Sequence, residues 1–279
     1  MTGDRADVET HYTRSVIGET ILAALTAAGK DIEHLTIEDL APVDEFHSRR
    51  RLATVELATM LAPGARDHVL DIGSGIGGPS RYLAATFGCR VTGLDLTAEF
   101  CRVAADLARR TGLDQRVDYR QGDATAIPFP DASFDLAWLQ NAAMNIADRA
   151  RLYGEIRRVL KPRGRFALQD VTAGPGGTPH YPVPWARDAS ISFLVSPEAT
   201  RTQLEAVGFR ILAWQDKTDI AIAEIQAERA RLKANPAPPP ALGIQLILGA
   251  DFGAMMKNSA RNLEERRIGL INAVAERID

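Results

Sequence analysis

The chain has 279 residues, 46% of them apolar and 25% charged, with a formal net charge of −3. That length suits one large domain or a core with an appended cap, and the weak negative charge gives no electrostatic reason to expect a nucleic-acid partner. No apolar run approaches the ~20 residues that span a bilayer. Met1–Thr10 does not read as a signal peptide, and Cys89 and Cys101 are the only cysteines. The expectation is a cytoplasmic protein, monomer or homodimer, with neither a disulfide framework nor a metal cluster.

Residues 1–11 carry no periodic pattern. From Tyr12 to Ala28 the apolar positions Val16, Ile17, Ile21, Leu22 and Leu25 are spaced as on one face of a helix. Thr36–Leu40 reads as a short capped helix closed by Pro42, and Arg51–Leu61 as a second helix reached through Asp44–Arg50. Strand-like and helix-like segments then alternate, which points to βαβ units and a parallel sheet. The predicted strands begin near Val69, Arg90, Val117, Phe134, Arg165 and Phe209, with helices over Ala98–Arg110 and Arg149–Leu160. Lys161-Pro162-Arg163-Gly164 is expected to stop the latter helix, and 174–197 to form a lid-like excursion over the sheet edge. Helices are expected over Glu198–Val207, Ile220–Lys233, Leu242–Leu248 and Phe252–Glu265, while Ile268–Val274 fits a strand or a helix end. The predicted fold is α/β: a Rossmann-like, mostly parallel sheet with helices on both faces. It divides into a helical cap (1–61), a ligand-binding core (62–173), and a part that completes the sheet (174–279).

The chemistry concentrates in Asp71-Ile72-Gly73-Ser74-Gly75-Ile76-Gly77-Gly78, where a strand passes through a glycine-rich turn into a helix. Such a turn admits close backbone approach by a ligand, and the helix start offers unpaired N–H groups. Gly73-x-Gly75-x-x-Gly78 satisfies the dinucleotide fingerprint, with Asp95 placed as a ribose-binding acid. Asp71, however, would repel a pyrophosphate and suits a ligand ammonium group. A nucleoside ligand with an ammonium, a carboxylate and no phosphate is S-adenosylmethionine, whose adenine amino group finds an acceptor at Gly122-Asp123-Ala124.

Leu70–Gly77, Asp95, Gly122-Asp123-Ala124 and Arg158–Gly164 together resemble the class I S-adenosylmethionine-dependent methyltransferases. The continuation Gly77–Arg81 and the helical N-terminal part resemble their small-molecule branch, which includes sarcosine/dimethylglycine, sterol and tocopherol enzymes. The resemblance implies cofactor contacts from Asp71, Gly73, Ser74, Gly75, Asp95, Leu96, Asp123, Ala124 and Gln140. Two departures stand out: Arg49-Arg50 where many relatives carry Gly-Gly, and Gln140-Asn141 where N-methylating relatives carry Gln-Asp.

On the acceptor side, His47 and Tyr12 are the candidate proton acceptors, and His11, Asn141, Asn145 and Trp185 the candidate substrate contacts. Trp185 equally suits a loop anchor. His34 and His68 read as surface residues, the two cysteines as packing, and Phe100, Trp138 and Phe166 as core. The run Arg49-Arg50-Arg51 reads as a solvated face or, alternatively, as a carboxylate-binding site. The implied function is methyl transfer to a small molecule. The alternatives are a cofactor-retaining fold with other chemistry, such as a cyclisation, and a nicotinamide-dependent oxidoreductase.

Overall fold

A computed structural model describes residues 16–45, 47–236 and 241–279. Its centre is a seven-stranded sheet of order β3-β2-β1-β4-β5-β7-β6. The strands are β1 His68–Ile72, β2 Arg90–Asp95, β3 Val117–Gln121, β4 Phe134–Gln140, β5 Leu160–Ala173, β6 Phe209–Asp216 and β7 Ile268–Arg277. The first five pair in parallel, and β7 runs antiparallel to both neighbours, β5 and β6. Strand order changes direction between β1 and β4, the place where open α/β sheets part to admit a ligand.

Helices α1 Ile17–Ala27, α2 Ile37–Asp44 and α3 Arg50–Leu61 precede β1. Then come α4 Gly78–Phe87, α5 Ala98–Arg110, α6 Arg149–Val159, α7 Pro197–Ala206, α8 Thr218–Ala234, α9 Gln245–Leu248 and α10 Phe252–Glu264. Strand residues of alternate parity face opposite layers. Leu70, Ile72, Leu139, Phe166 and Ile271 pack against Leu152, Tyr153 and Ile156 of α6. Val69, Val91, Trp138, Ala167 and Val274 pack on the other face against Leu57 and Leu61 of α3 and Leu83 of α4. Helices α1 and α2 pack outside this layer, with Ile21, Leu25, Leu40 and Val43 against Phe100, Val103 and Leu107 of α5. No helix among the described residues is long and apolar enough to cross a membrane.

The structure departs from the sequence reading at three places and settles a fourth that was open. Pro42 does not close α2 but lies inside it. A proline removes one helical N–H, and burial of Val43 together with the Asp44–Arg81 ion pair at 2.6 Å carries the helix past it. Lys161–Gly164 forms an irregular start to β5: Leu160 pairs with Phe134 and Arg165 with Leu136, with a register shift between. Ile268–Val274 is a strand, in keeping with the burial of Leu270, Ile271, Ala273 and Val274 on both faces. His68 is half-buried, its ring 4.7 Å from that of Phe134 and its Nε2 2.9 Å from the Thr92 hydroxyl, whereas His34 is exposed as expected.

Candidate active site

Gly73, Gly75 and Gly77 all adopt positive φ, at 70°, 54° and 83°, which other residues reach only with strain. The turn is tied to β2, because the N–H groups of Gly73 and Ser74 donate to the Leu94 carbonyl at 2.7 and 3.1 Å. It also lies hard against the segment after β4: a side chain at Gly73 would come within 2.4 Å of the Ala142 methyl group. Asp95, at the end of β2, accepts the Gly75 N–H at 2.8 Å on one oxygen and the Thr97 N–H at 2.9 Å on the other. Burial raises its pKa, and these two backbone donors oppose the rise.

These elements surround a cavity of about 400 Å³ at the carboxyl ends of the strands. Gly73, Gly75, Asp95, Leu96, Asp123 and Ala124 line it, together with Asn141 and Asn145 from the expected acceptor side. Asp123 also accepts from the N–H and hydroxyl of Thr125, both at 2.8 Å, so one carboxylate shapes the turn and the cavity wall. Phe100, Ile146 and Phe193 add apolar wall, and Arg151 is fixed beside them by donating to the Thr125 carbonyl at 2.6 Å. Phe100 is therefore both core and cavity lining.

Three expected cofactor contacts lie off this wall. Asp71 has the strand parity of Val69, opposite to cavity-lining Ile72, and accepts a 2.5 Å bond from the Ser80 hydroxyl. Ser74 is buried, and a side chain at Gly93 would approach its hydroxyl to 2.8 Å, which places that oxygen on the β2 side of the turn. Gln140 is buried under α3, donating to the Gln169 amide oxygen at 2.7 Å and accepting from Trp138 Nε1 and the Thr54 hydroxyl, both at 3.3 Å.

Burial pushes the Asp71 carboxyl up to about 7, with the Ser80 bond pulling the other way and Asp95 adding to the rise. The folded chain then holds a proton that the unfolded chain releases above its ordinary value of 3.8. Stability is expected to fall as pH rises from about 4 to about 7, by up to ~1.4 kcal/mol per pH unit from this group. Asp71→Asn should flatten that part of the profile when thermal unfolding is followed across the window. Equal slopes in both proteins would mean that Asp71 stays ionised in the fold.

Beside the cavity, the connector from α2 to α3 builds a buried polar cluster. Nε2 of His47 lies 2.6 Å from a Glu45 oxygen and 3.1 Å from the Thr54 hydroxyl, which itself donates to Glu45 at 2.8 Å. Nδ1 of His47 lies 3.3 Å from both the Ser48 carbonyl and the Gln140 amide nitrogen. The Ser48 hydroxyl accepts from Asn141 Nδ2 at 3.3 Å, which joins the cluster to the cavity wall. Burial alone would raise the Glu45 carboxyl, but His47, Arg51 and Thr54 together hold it below its ordinary value. A carboxylate beside Nε2 sets the proton on that nitrogen and leaves the Nδ1 lone pair as the basic site.

The basic run is neither a solvated face nor an anion site. Arg49 is clamped by Glu56 and Glu224, and Arg51 reaches Glu45 at 3.1 Å and the Ile37 carbonyl at 3.0 Å, leaving only Arg50 exposed. Trp185 is an anchor of the excursion, not a cavity residue. It packs with Met144, Val183 and Ile191, donates to the Ser192 hydroxyl at 3.0 Å, and its carbonyl accepts from Asn145 at 2.8 Å. Asn145 also donates to the Ile191 carbonyl at 2.7 Å, so it holds the excursion to the cavity rim. His11 and Tyr12 lie outside the described residues. Both cysteines are buried, and burial pushes each thiol up to about 11, in keeping with packing.

Glu45, Thr54, Gln169 and Phe193 were not singled out from the sequence. Glu45 was the most accessible, since an acid two residues before a candidate base is a visible signal. Nothing local marks Gln169 or Phe193.

A mostly parallel, doubly wound sheet with its cavity where the strand order turns defines the Rossmann-like class of α/β fold. Residues 70–168 match the family model described as a methyltransferase domain. Over 231 residues the chain is 28% identical to the glycine/sarcosine/dimethylglycine N-methyltransferase of Actinopolyspora halophila, covering 81% of this chain and 38% of that protein. Over 173 residues it is 35% identical to the sterol 24-C-methyltransferase of Eremothecium gossypii, covering 55% and 43%. The matched part of the chain thus spans about two fifths of the length of these curated relatives. Among solved structures, the [4+2]-cyclase SpnF superposes with a TM-score of 0.66 and 23% identity over 89% of this chain and 99% of that one, a likeness of fold.

Proposed function

We propose that this protein transfers a methyl group from S-adenosylmethionine to a small-molecule acceptor in a capped pocket. The observation that carries the reading is the convergence of Asp95, the Gly73–Gly75 turn and Asp123 on one cavity within a methyltransferase domain. Asp95 suits the ribose diol, Asp123 beside Ala124 and Phe100 suits the adenine, and the turn with Asn141 suits the methionine end. Bound there, the cofactor supplies a methyl group already activated by a sulfonium, so the leaving group needs no acid. The chain's task is to hold the acceptor in line and exclude water, and alignment of that kind is worth ~7–11 kcal/mol of barrier.

For an acceptor hydroxyl or carbon acid seated at the Ser48–Asn141 side of the cavity, Nδ1 of His47 would take the proton that the acceptor loses. Glu45 then faces the imidazolium at Nε2. Tyr12 is the second proton-handling candidate and His11 a further acceptor contact. In this reading residues 1–61 are the cap, 62–173 the cofactor-binding core and 174–279 the lid and the completion of the sheet. The partner is a small molecule and not a nucleic acid, and the protein is cytoplasmic.

The resemblance of fold to SpnF favours a second reading, in which the cofactor is retained and the pocket performs a non-methylating reaction. Incubation with methyl-labelled S-adenosylmethionine and a fractionated metabolite extract, alongside calorimetry with S-adenosylhomocysteine and NADH, tests both. Label entering a small molecule supports transfer. Tight S-adenosylhomocysteine binding with no labelled product would favour the second reading, and NADH binding in its place would sink both.

A further inference from the structure

We infer that Arg49 is a positioning residue for His47: its guanidinium, shared between Glu56 and Glu224, holds the left-handed turn that seats the imidazole. The inference rests on the reading of His47 given above.

Arg49 and Arg50 are consecutive residues with positive φ, 64° and 47°, immediately after His47 and Ser48. Their side chains gain nothing from this conformation, and a turn of this kind persists only where the surroundings fix it. The surroundings here are two carboxylate forks. Nη1 and Nη2 of Arg49 donate to the two Glu56 oxygens at 2.8 and 2.9 Å, and Nε and Nη2 donate to the two Glu224 oxygens at 2.9 and 2.7 Å. The arginine side chain is only 4% exposed, and Glu56 is held in turn by Lys217 at 2.9 Å.

Glu56 lies two turns along α3 and Glu224 on α8, so the guanidinium draws the start of α3 back onto its own helix and onto a second one. The turn's first bond, from the Arg50 N–H to the His47 carbonyl at 3.2 Å, belongs to the residue so positioned. Side-chain contacts of His47 with Glu45, Thr54 and Gln140 then follow from where the turn places its backbone. Lysine offers no planar fork and cannot bond both carboxylates in this way.

The test is ring-nitrogen NMR of the histidines in the full chain, with exposed His34 as the internal reference and no acceptor present. Arg49→Gln is expected to shift the His47 signals toward those of His34, and Arg49→Lys to shift them less. Binding of S-adenosylhomocysteine should be unchanged in both. Arg49→Gly, which keeps the left-handed turn without the clamp, is expected to behave as Arg49→Gln. If His47 is unmoved in Arg49→Gly, or if Arg49→Gln only speeds amide exchange along α8, the clamp is a structural staple and the inference is overturned. Should Arg49→Gln not fold, Glu224→Gln opens one fork, and unmoved His47 signals there overturn it equally. A His47→Asn protein that still transfers methyl groups would remove the base assignment while leaving the NMR result intact, so the two failures are separately visible.

Discussion

Asp95→Ala is expected to weaken S-adenosylhomocysteine binding by about 100-fold while the chain remains folded. Hydrogen bonds to a charged group are worth ~1.5–3 kcal/mol, and the carboxylate lines the cavity while accepting from Gly75 and Thr97. The loss has two sources. The ribose hydroxyls lose their acceptor, and the Gly75 N–H loses the partner that holds the turn in its binding shape. Asp95→Asn keeps one acceptor oxygen and is expected to fall between the two. Calorimetry with S-adenosylhomocysteine reads the effect, and circular dichroism checks the fold. An alanine variant that binds as tightly as the parent would exclude Asp95 from the ribose site.

His47→Asn should lower the rate of methyl transfer to a hydroxyl or carbon-acid acceptor by ~10²–10⁴-fold, the usual worth of a positioned general base. Asparagine keeps a polar group near Glu45 and Thr54 but cannot carry the proton. Cofactor affinity should be unchanged, because His47 lines none of the wall assigned to the cofactor. Single-turnover measurements with the acceptor found by labelling separate the two quantities. A full rate in the variant would show that the acceptor arrives without a proton to lose, as a neutral amine does.

The sheet was largely legible in the sequence because its signals are local. Strand Arg90–Asp95 and helix Ala98–Arg110 have the predicted bounds, the first from a short apolar run and the second from its spacing. The cavity lining was legible where a residue sits at or just after a strand end, as at Gly73, Asp95 and Asp123. The lining was not legible where the face of an element decides. Asp71 and Gln140 lie beside lining residues in the sequence yet point into the layer under α4 and α3, a matter of strand parity. Trp185 belongs to an irregular excursion whose packing partners come from other elements. The partners of Arg49 were out of reach in a different way. Glu224 lies 175 residues further on, and no spacing rule joins them.

The antiparallel β7 has a consequence for how the molecule is made. It lies between β5 and β6, so β6 has no route into the sheet except through residues 268–277. During vectorial synthesis the strands through β5 can pair as they emerge from the ribosome, leaving the edge of β5 open while roughly a hundred further residues are added at ~5–20 per second. For that interval of seconds the nascent chain carries an unpaired edge with Leu168 and Val171 along it, the kind of surface that chaperones engage. β7 both closes that edge and carries β6, so the late-made strand completes the sheet from within.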